Sequence, residues 1–287
     1  MQFRGKVVAL HIGAHKTATS VVQHWLNQNQ ELHRPAGLQY LRRDELSRMI
    51  GWGERLVADP APLAARLARF HADPRFRTLI GSYENVLGRP FPGGGDGRLY
   101  PNAERNIQAL DRALGRSRCR ILLSIRPQPD FVESYYLQSV HQGGWKTFSA
   151  WVKSVDLDQL SWQPAVDALH ATFGRDRVEV LDFRQIKQGD RAWMEHFLHR
   201  VDPTLAVPIG EGRGNHNRSV SGRGLDIALA VNQHLQTQDE RHALRRFLQK
   251  HFSNVDSPRP VLFDPAEKAR LWERYGPEYE RLVAWQP

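Results

Sequence analysis

The segment Val7-Val8-Ala9-Leu10-His11-Ile12 runs straight into Gly13-Ala14-His15-Lys16-Thr17-Ala18-Thr19-Ser20 and then into a stretch of helical period. In that order these residues read as a buried strand over 7–12, a short Gly/Lys/Thr loop, and a helix over 17–29 with Val21, Val22, Trp25 and Leu26 on one face. A strand that feeds a helix through a short loop leaves the first helical N–H groups unpaired and aimed outward, where the helix dipole favours negative charge. Lys16 adds a point charge, and Thr17, Thr19 and Ser20 add hydroxyl donors. Gly13, Ala14, Lys16, Thr17, Ala18, Thr19 and Ser20 are therefore expected to cradle an anion, a phosphate before others.

The rest of the chain repeats the alternation. Strands are expected at 78–82, 120–125 and 178–181. Helices are expected at 61–70, 103–115, 130–141, 147–155, 162–173 and 190–200, and then at 219–236, 239–251 and 265–284. Asp130 with Glu133 three residues on resembles a capping box, which places the start of that helix at 130. Strands alternating with helices argue for an α/β fold whose central parallel sheet is flanked by helices on both faces. Two segments break the pattern. Residues 88–101 are rich in Gly and Pro, including Gly93-Gly94-Gly95, and 207–224 interleaves glycines with Arg213, Arg218 and Arg223. No internal repeat or linker stands out, so residues 1–287 are expected to form a single domain: a core over 5–205, a basic Gly/Arg loop over 207–224 and a helical part over 219–285.

At 287 residues with 40% hydrophobic and 25% charged side chains, the chain is long enough for one large core. Lys and Arg number 40 against 31 Asp and Glu, a formal charge of +9 that favours anionic partners such as a polyphosphorylated cofactor or an acidic glycan. Cys119 is the one cysteine, which excludes an intramolecular disulfide and fits a reducing compartment; beside a strand it reads as a packed thiol. No secretory signal is read at the N-terminus, and no stretch approaches eighteen apolar residues. A chain without a membrane span, in the cytoplasm, is the expectation.

A second motif, Ile125-Arg126-Pro127-Gln128-Pro129-Asp130-Phe131-Val132-Glu133-Ser134-Tyr135-Tyr136, sharpens the first. Arg126 falls just beyond the carboxyl end of a central strand, where parallel sheets bind ligands. Ser134 falls about one turn into the next helix. A guanidinium fork with a nearby hydroxyl suits a monoester phosphate. The Lys16 loop is not a Walker A sequence, which would need a Gly directly before the Lys.

With both motifs in place, the chain resembles the sulfotransferases that use 3′-phosphoadenosine 5′-phosphosulfate (PAPS), in particular the bacterial relatives of the glycan-modifying branch. Their loop reads much like His-Lys-Thr-Gly-Thr-Thr; this chain carries Ala18 where Gly is usual and Ser20 where Thr is usual. The resemblance implies a three-layer P-loop-like fold. It also implies transfer of a sulfuryl group to a hydroxyl of a carbohydrate, glycolipid or other small-molecule acceptor, leaving adenosine 3′,5′-bisphosphate (PAP), without a metal. It implies Lys16 at the bridging oxygen, Arg126 and Ser134 on the 3′-phosphate, and Arg218 or Arg213 in a loop closing over that phosphate. Tyr135, Tyr136, His141, Trp145 and Trp151 fall where such enzymes contact their acceptors. The catalytic base is expected to be Glu84, in Ser82-Tyr83-Glu84, with its pKa tuned upward in a half-dry cleft. His15 is its rival, because imidazole needs no tuning.

Two other readings compete. A P-loop kinase or NTPase would want a strand-end Asp for magnesium, and Asp182 is the one candidate. A non-catalytic polyanion or nucleic-acid binder would use the positive charge, but that charge is dispersed and no recognised binding module is present, so nucleic acid is not an expected partner. His196 and His199 share a helix face without a third ligand, and no metal site is expected there. The residues specify no oligomeric state.

Overall fold

Five apolar runs form one all-parallel sheet: β1 (Val7–His11), β2 (Leu38–Leu41), β3 (Thr78–Ser82), β4 (Cys119–Ile125) and β5 (Val178–Asp182), in spatial order β2-β3-β1-β4-β5. The computed structural model describes residues 5–17, 19–92, 97–115, 117–205, 207, 209, 220–255 and 257–284. After β1 come α1 (Thr19–Gln28) and the single turn α2 (Gln30–His33). Between β2 and β3 lie α3 (Arg43–Ile50), α4 (Glu54–Ala58) and α5 (Ala61–Ala72), and α6 (Ala103–Leu114) precedes β4. Then α7 (Gln128–His141), the short α8 (Phe148–Trp151) and α9 (Gln163–Phe173) lead to β5. The chain continues through α10 (Asp190–Val201), α11 (Gly222–Asn232), α12 (Gln238–His251) and α13 (Pro265–Ala284).

The period of two along each strand sorts side chains between two cores. Val8 and Leu10 of β1, Leu79 of β3, Ile121, Leu123 and Ile125 of β4, and Val178 and Val180 of β5 pack with residues from α3 to α6, α9 and α13. Their neighbours Ala9, Ile80, Leu122 and Leu181 pack on the opposite face with Val21, Val22, Trp25 and Leu26 of α1 and Trp193, Phe197 and Val201 of α10. A sheet buried on both faces is what strands without polar alternation require. The three-layer α/β architecture expected from the sequence is the one observed.

This topology positions the site. β1 sits between β3 and β4, and the chain runs outward from it in opposite directions, so the crevice beyond the carboxyl ends of β1 and β4 is a topological switch point. Pairing with β4 continues past the last residue of β1: the Ile12 N–H donates to the Leu122 carbonyl and the Ala14 N–H to the Ser124 carbonyl, both at 2.9 Å. The loop is thereby pinned against the strand that carries Arg126.

Several boundaries differ from the sequence reading. The helix expected at 130 begins at Gln128, with Pro127 and Pro129 at its start and no side-chain cap. Proline suits a first turn because its missing N–H would have been unpaired there. Asp130 and Glu133 do not form a capping box; both carboxylates face Lys268, at 2.8 and 2.7 Å. β2 and the helices α3 and α4 have no counterpart in the sequence reading. β2 is a four-residue edge strand, and only Leu46 and Ile50 of α3 are buried, too few apolar positions to stand out as a period.

The C-terminal helices are tied to the sheet end beside the site. Tyr279 of α13 donates its hydroxyl to Asp182 at 2.7 Å, and Gln128 of α7 donates to Glu278 at 3.1 Å. Val220, Leu225 and Ala228 around α11, with Leu248 of α12, pack against Tyr136 and Val140 of α7. Thr237 and Glu240 supply the capping box that starts α12.

Candidate functional site

The anion loop rests on a buried histidine. His11, the last residue of β1, is fully buried, with Nδ1 2.9 Å from the Ser82 hydroxyl of β3 and Nε2 2.8 Å from the Ser124 hydroxyl of β4. The ring thus ties together the ends of three adjacent strands. A Cβ at Gly13 would lie 2.7 Å from His11 Nε2 and 3.0 Å from Thr17 Oγ1, so the loop crosses the histidine at a distance only glycine permits. Thr17 is also buried, and its hydroxyl donates to the Ala14 carbonyl at 2.5 Å. Its proton is therefore spent inside the loop, and Thr17 acts as a brace there. Thr19 and Ser20 open α1; Ala18 lies outside the described residues.

Lys16 and Tyr100 are the two non-glycine residues in the left-handed region among the described residues, with φ of 64° and 50°. Such conformations cost on the order of 1–3 kcal/mol and persist where the surroundings over-determine them. Here the two meet at His15. The His15 N–H donates to the Tyr100 hydroxyl at 2.9 Å, and that hydroxyl donates to His15 Nδ1 at 2.7 Å. His15 Nε2–H donates to the Asn85 side-chain oxygen at 2.9 Å, and the Asn85 amide donates to the Tyr83 hydroxyl at 3.1 Å. The ring also lies parallel to the Trp52 indole, with centroids 5.2 Å apart. Both ring nitrogens are occupied, and burial lowers the imidazole to about 4 despite the opposing charge of Glu84. This histidine has no free lone pair with which to take a proton.

Glu84 follows β3 at the start of a short 3-10 turn (Glu84–Leu87), its side chain 17% exposed. Gln23 of α1 donates to one carboxylate oxygen at 3.1 Å, and Arg43 approaches the other at 3.4 Å. Burial alone would raise its pKa. The Glu84 backbone N–H, Arg43, His15 and Gln23 together outweigh that effect and hold the carboxyl below its usual range. The upward tuning expected from the sequence is not what these surroundings produce. Glu84 stands ionised near neutral pH, as an acceptor of protons must, and with less basicity than a tuned carboxylate has.

On the other side of the crevice, the Arg126 guanidinium lies 4.8 Å from the centre of the Phe183 ring, and the Arg126 carbonyl accepts from Trp162 Nε1 at 2.9 Å. Its Nη1 donates to the Lys16 carbonyl at 3.4 Å, a long contact that a phosphate oxygen can displace. Its Nε is buried without a hydrogen-bond partner among the described residues. Ser134, in the second turn of α7, is half-buried, with no partner for its hydroxyl among the described residues. Sequence reasoning missed two further cations here. Arg245 of α12 acts on Lys16, and Arg259 acts on Arg126. Although Lys16 reaches solvent, crowding by protein lowers its ammonium to about 8, with Arg126 and Arg245 adding to the shift and Glu84 opposing it. Burial, with Arg259 assisting, likewise lowers Arg126 while Asp130 opposes. Both cations of the crevice thus have a second cation near them, while Glu84 is already committed to Gln23 and Arg43.

The remaining candidates separate. Tyr135 and Trp151 border the site through Phe91, at 5.7 and 6.2 Å from its ring, and Tyr135 meets His15 edge-on at 5.9 Å. Tyr136 is core, its hydroxyl donating to the Lys146 carbonyl, and Trp145 is a surface residue, 57% exposed. His141 has a buried Nε2 without a partner among the described residues. Asp182 accepts from Arg184 and Tyr279, which occupies the carboxylate a magnesium-dependent reading would need. Arg213 and Arg218 lie outside the described residues. No group of three or more His, Cys, Asp or Glu able to hold a metal ion occurs among the described residues, and no described helix is long and apolar enough to cross a membrane. Cys119 is buried, which pushes its thiol up. Trp52, Asn85, Arg89 and Tyr100 also went unread. An aromatic flanked by glycines, Gly51-Trp52-Gly53, was the one local signal for them.

No protein-family model matches this chain, and no curated protein matches it by sequence. Among solved structures it is similar to a sulfotransferase from Alicyclobacillus acidocaldarius, at 14% identity over 78% of this chain and 91% of that one, with a TM-score of 0.43. It is also similar to a mouse sulfotransferase complexed with PAP, at 12% identity over 98% and 86% of the two chains and a TM-score of 0.44. A third is retinol dehydratase in complex with androsterone and inactive cofactor PAP, at 10% identity over 98% and 82% and a TM-score of 0.38.

The buried imidazoles make a stability prediction. Burial lowers His11, like His15, to about 4, below the ordinary value near 6.5 that each regains on unfolding. Their contribution is complete above pH 6.5 and is lost as pH falls toward 4, because the unfolded chain takes up protons first. Urea denaturation at pH 7 and at pH 4.5 is expected to show a loss on the order of 5 kcal/mol from the two rings together. Equal stability at the two values contradicts the burial of neutral rings.

Proposed function

We propose that the crevice binds PAPS and that the protein transfers its sulfuryl group to a hydroxyl of a carbohydrate or other small-molecule acceptor. One observation supports this above the rest. Lys16 and Arg126 reach the same switch-point crevice from adjacent strand ends, and Arg126 carries a buried, unpartnered Nε there. The residues fit the donor. Gly13 keeps the loop tight, α1 presents its N-terminus, Lys16 is a cation on the loop, and Arg126 with Ser134 offers a fork and a hydroxyl for a monoester phosphate.

When bound, the donor supplies a sulfuryl group on a phosphate leaving group. Lys16 then stabilises negative charge developing at the bridging oxygen. Glu84 accepts the proton of the acceptor hydroxyl. His15, with both ring nitrogens engaged, holds Tyr100 and Asn85 in place and thereby fixes the backbone next to Lys16. Arg218 is proposed, on the family resemblance, to close over the 3′-phosphate, and the whole chain to act as a single domain. We place the protein in the cytoplasm on its single cysteine.

Calorimetric titration with PAP in EDTA is the direct test. Binding is expected in the intact protein, weakened in Lys16→Ala and lost most severely in Arg126→Ala; an intact protein that ignores PAP ends the proposal. In a transfer assay from labelled PAPS, Glu84→Gln is expected to lower kcat by ~10²–10⁴ with PAP affinity retained. A fully active Glu84→Gln removes Glu84 as the base. The Lys16 ammonium is charged below about pH 8 and neutral above it. PAP affinity should therefore fall, by roughly tenfold between pH 7 and 9.5, and Lys16→Arg should abolish that fall over the same range.

A further inference from the structure

Beside the donor site stands a cation that neither nucleotide-binding motif includes. Arg89 is exposed, its guanidinium carbon 4.5 Å from the centre of the Trp52 ring, and no carboxylate pairs with it among the described residues. Trp52 is held rigidly. Its backbone N–H donates to Glu54 at 2.7 Å, Asn106 donates to its carbonyl at 3.4 Å, and the adjacent Gly53, at φ 95°, packs so closely that a Cβ would lie 2.0 Å from the Asn106 amide. The indole in turn lies parallel to His15, next in sequence to Lys16. Arg89 is thus carried on a fixed platform at the edge of the reacting centre.

Tyr135 borders the same place. Its ring meets His15 and Phe91 edge-on, it is half-buried, and its hydroxyl has no hydrogen-bond partner among the described residues. Arg89 acts electrostatically on both His15 and Tyr135. A guanidinium stacked on an aromatic face is weakly hydrated and keeps its planar fork for an oxyanion. Of the acids near this place, Glu84 is already engaged by Gln23 and Arg43, and Glu54 accepts from the Trp52 backbone N–H. An unneutralised fork next to a free phenol and flat aromatic surface matches a ligand with a negative charge, a hydroxyl and a ring.

We propose that the acceptor carries its own oxyanion, bound by Arg89 over Trp52, with its ring against Tyr135 and its reacting hydroxyl directed toward Lys16 and Glu84. This inference rests on the transfer reaction proposed above and narrows its acceptor to acidic, ring-bearing alcohols or phenols. Carboxylate, sulfate and phosphate share the chemistry the fork recognises.

The test is transfer from labelled PAPS to matched pairs that differ in charge: phenyl β-glucuronide against phenyl β-glucoside, and 4-hydroxybenzoate against 4-hydroxybenzyl alcohol. Acidic members are expected to be preferred by about tenfold or more in kcat/KM, the worth of one charge-assisted contact. Arg89→Gln should erase that preference, Arg89→Lys should restore part of it, and PAP affinity should be unchanged in both. Equal use of the neutral partners, a preference that survives in Arg89→Gln, or a PAP-binding protein that uses no member of either pair overturns the inference. Absence of PAP binding in the intact protein overturns instead the donor reading beneath it. The preference of the intact protein stands as a result even if a variant fails to fold.

Discussion

The pairing of β1 with β4, carried three residues beyond the end of β1, is the constraint on which the site depends. Hydrogen bonds from Ile12 and Ala14 to the Leu122 and Ser124 carbonyls hold the loop in register with the strand that ends at Arg126. A loop left to itself would lose its shape to conformational entropy, roughly 1–2 kcal/mol for each residue ordered. Here the backbone bonds, the His11 ring between Ser82 and Ser124, and the inward hydroxyl of Thr17 offset that cost. The left-handed backbone at Lys16 is sustained in this frame, which directs its side chain away from the path a helix would give it.

Electrostatics then give the frame a purpose. Lys16 and Arg126 hold their protons less firmly because protein crowds them and other cations stand nearby, Arg126 and Arg245 acting on Lys16 and Arg259 on Arg126. Like charges held together raise the energy of the free protein, and a multiply charged anion relieves that repulsion on binding. The acids that could have neutralised them are turned elsewhere. Asp130 and Glu133 face Lys268, Asp182 is held by Arg184 and Tyr279, and Glu84 is shared between Gln23 and Arg43.

The hydrophobic pattern made much of this legible in advance. Residues 7–12, 120–125 and 178–181 are continuous apolar runs, and the helices around them show clear faces, so the parallel sheet and its flanking layers follow from periodicity. Lys16 and Arg126 were readable for a related reason: each falls just past a strand, where chain direction alone dictates an exposed, ligand-facing position. The edge strand at 38–41 was hidden because four residues carry too little pattern. Helix α3 was hidden because Leu46 and Ile50 are its whole buried face.

His15 marks the boundary between the two kinds of knowledge. Its place beside Lys16 is a matter of sequence, and from sequence it is a plausible base. Its chemistry was decided by Tyr100 and Asn85, residues 85 and 70 positions away, which occupy both ring nitrogens in a buried setting. Glu84 is similar: its position after β3 is local, while its depressed pKa depends on Gln23 and Arg43 arriving from other elements. By itself the sequence determined the layers, the strand ends and the residue types offered there, because those follow from short-range periodicity and chain direction. Protonation, hydrogen-bond partners and the gathering of Arg89, Arg245 and Arg259 around the site were decided only by the tertiary structure, because they depend on side chains that meet across long separations in the chain.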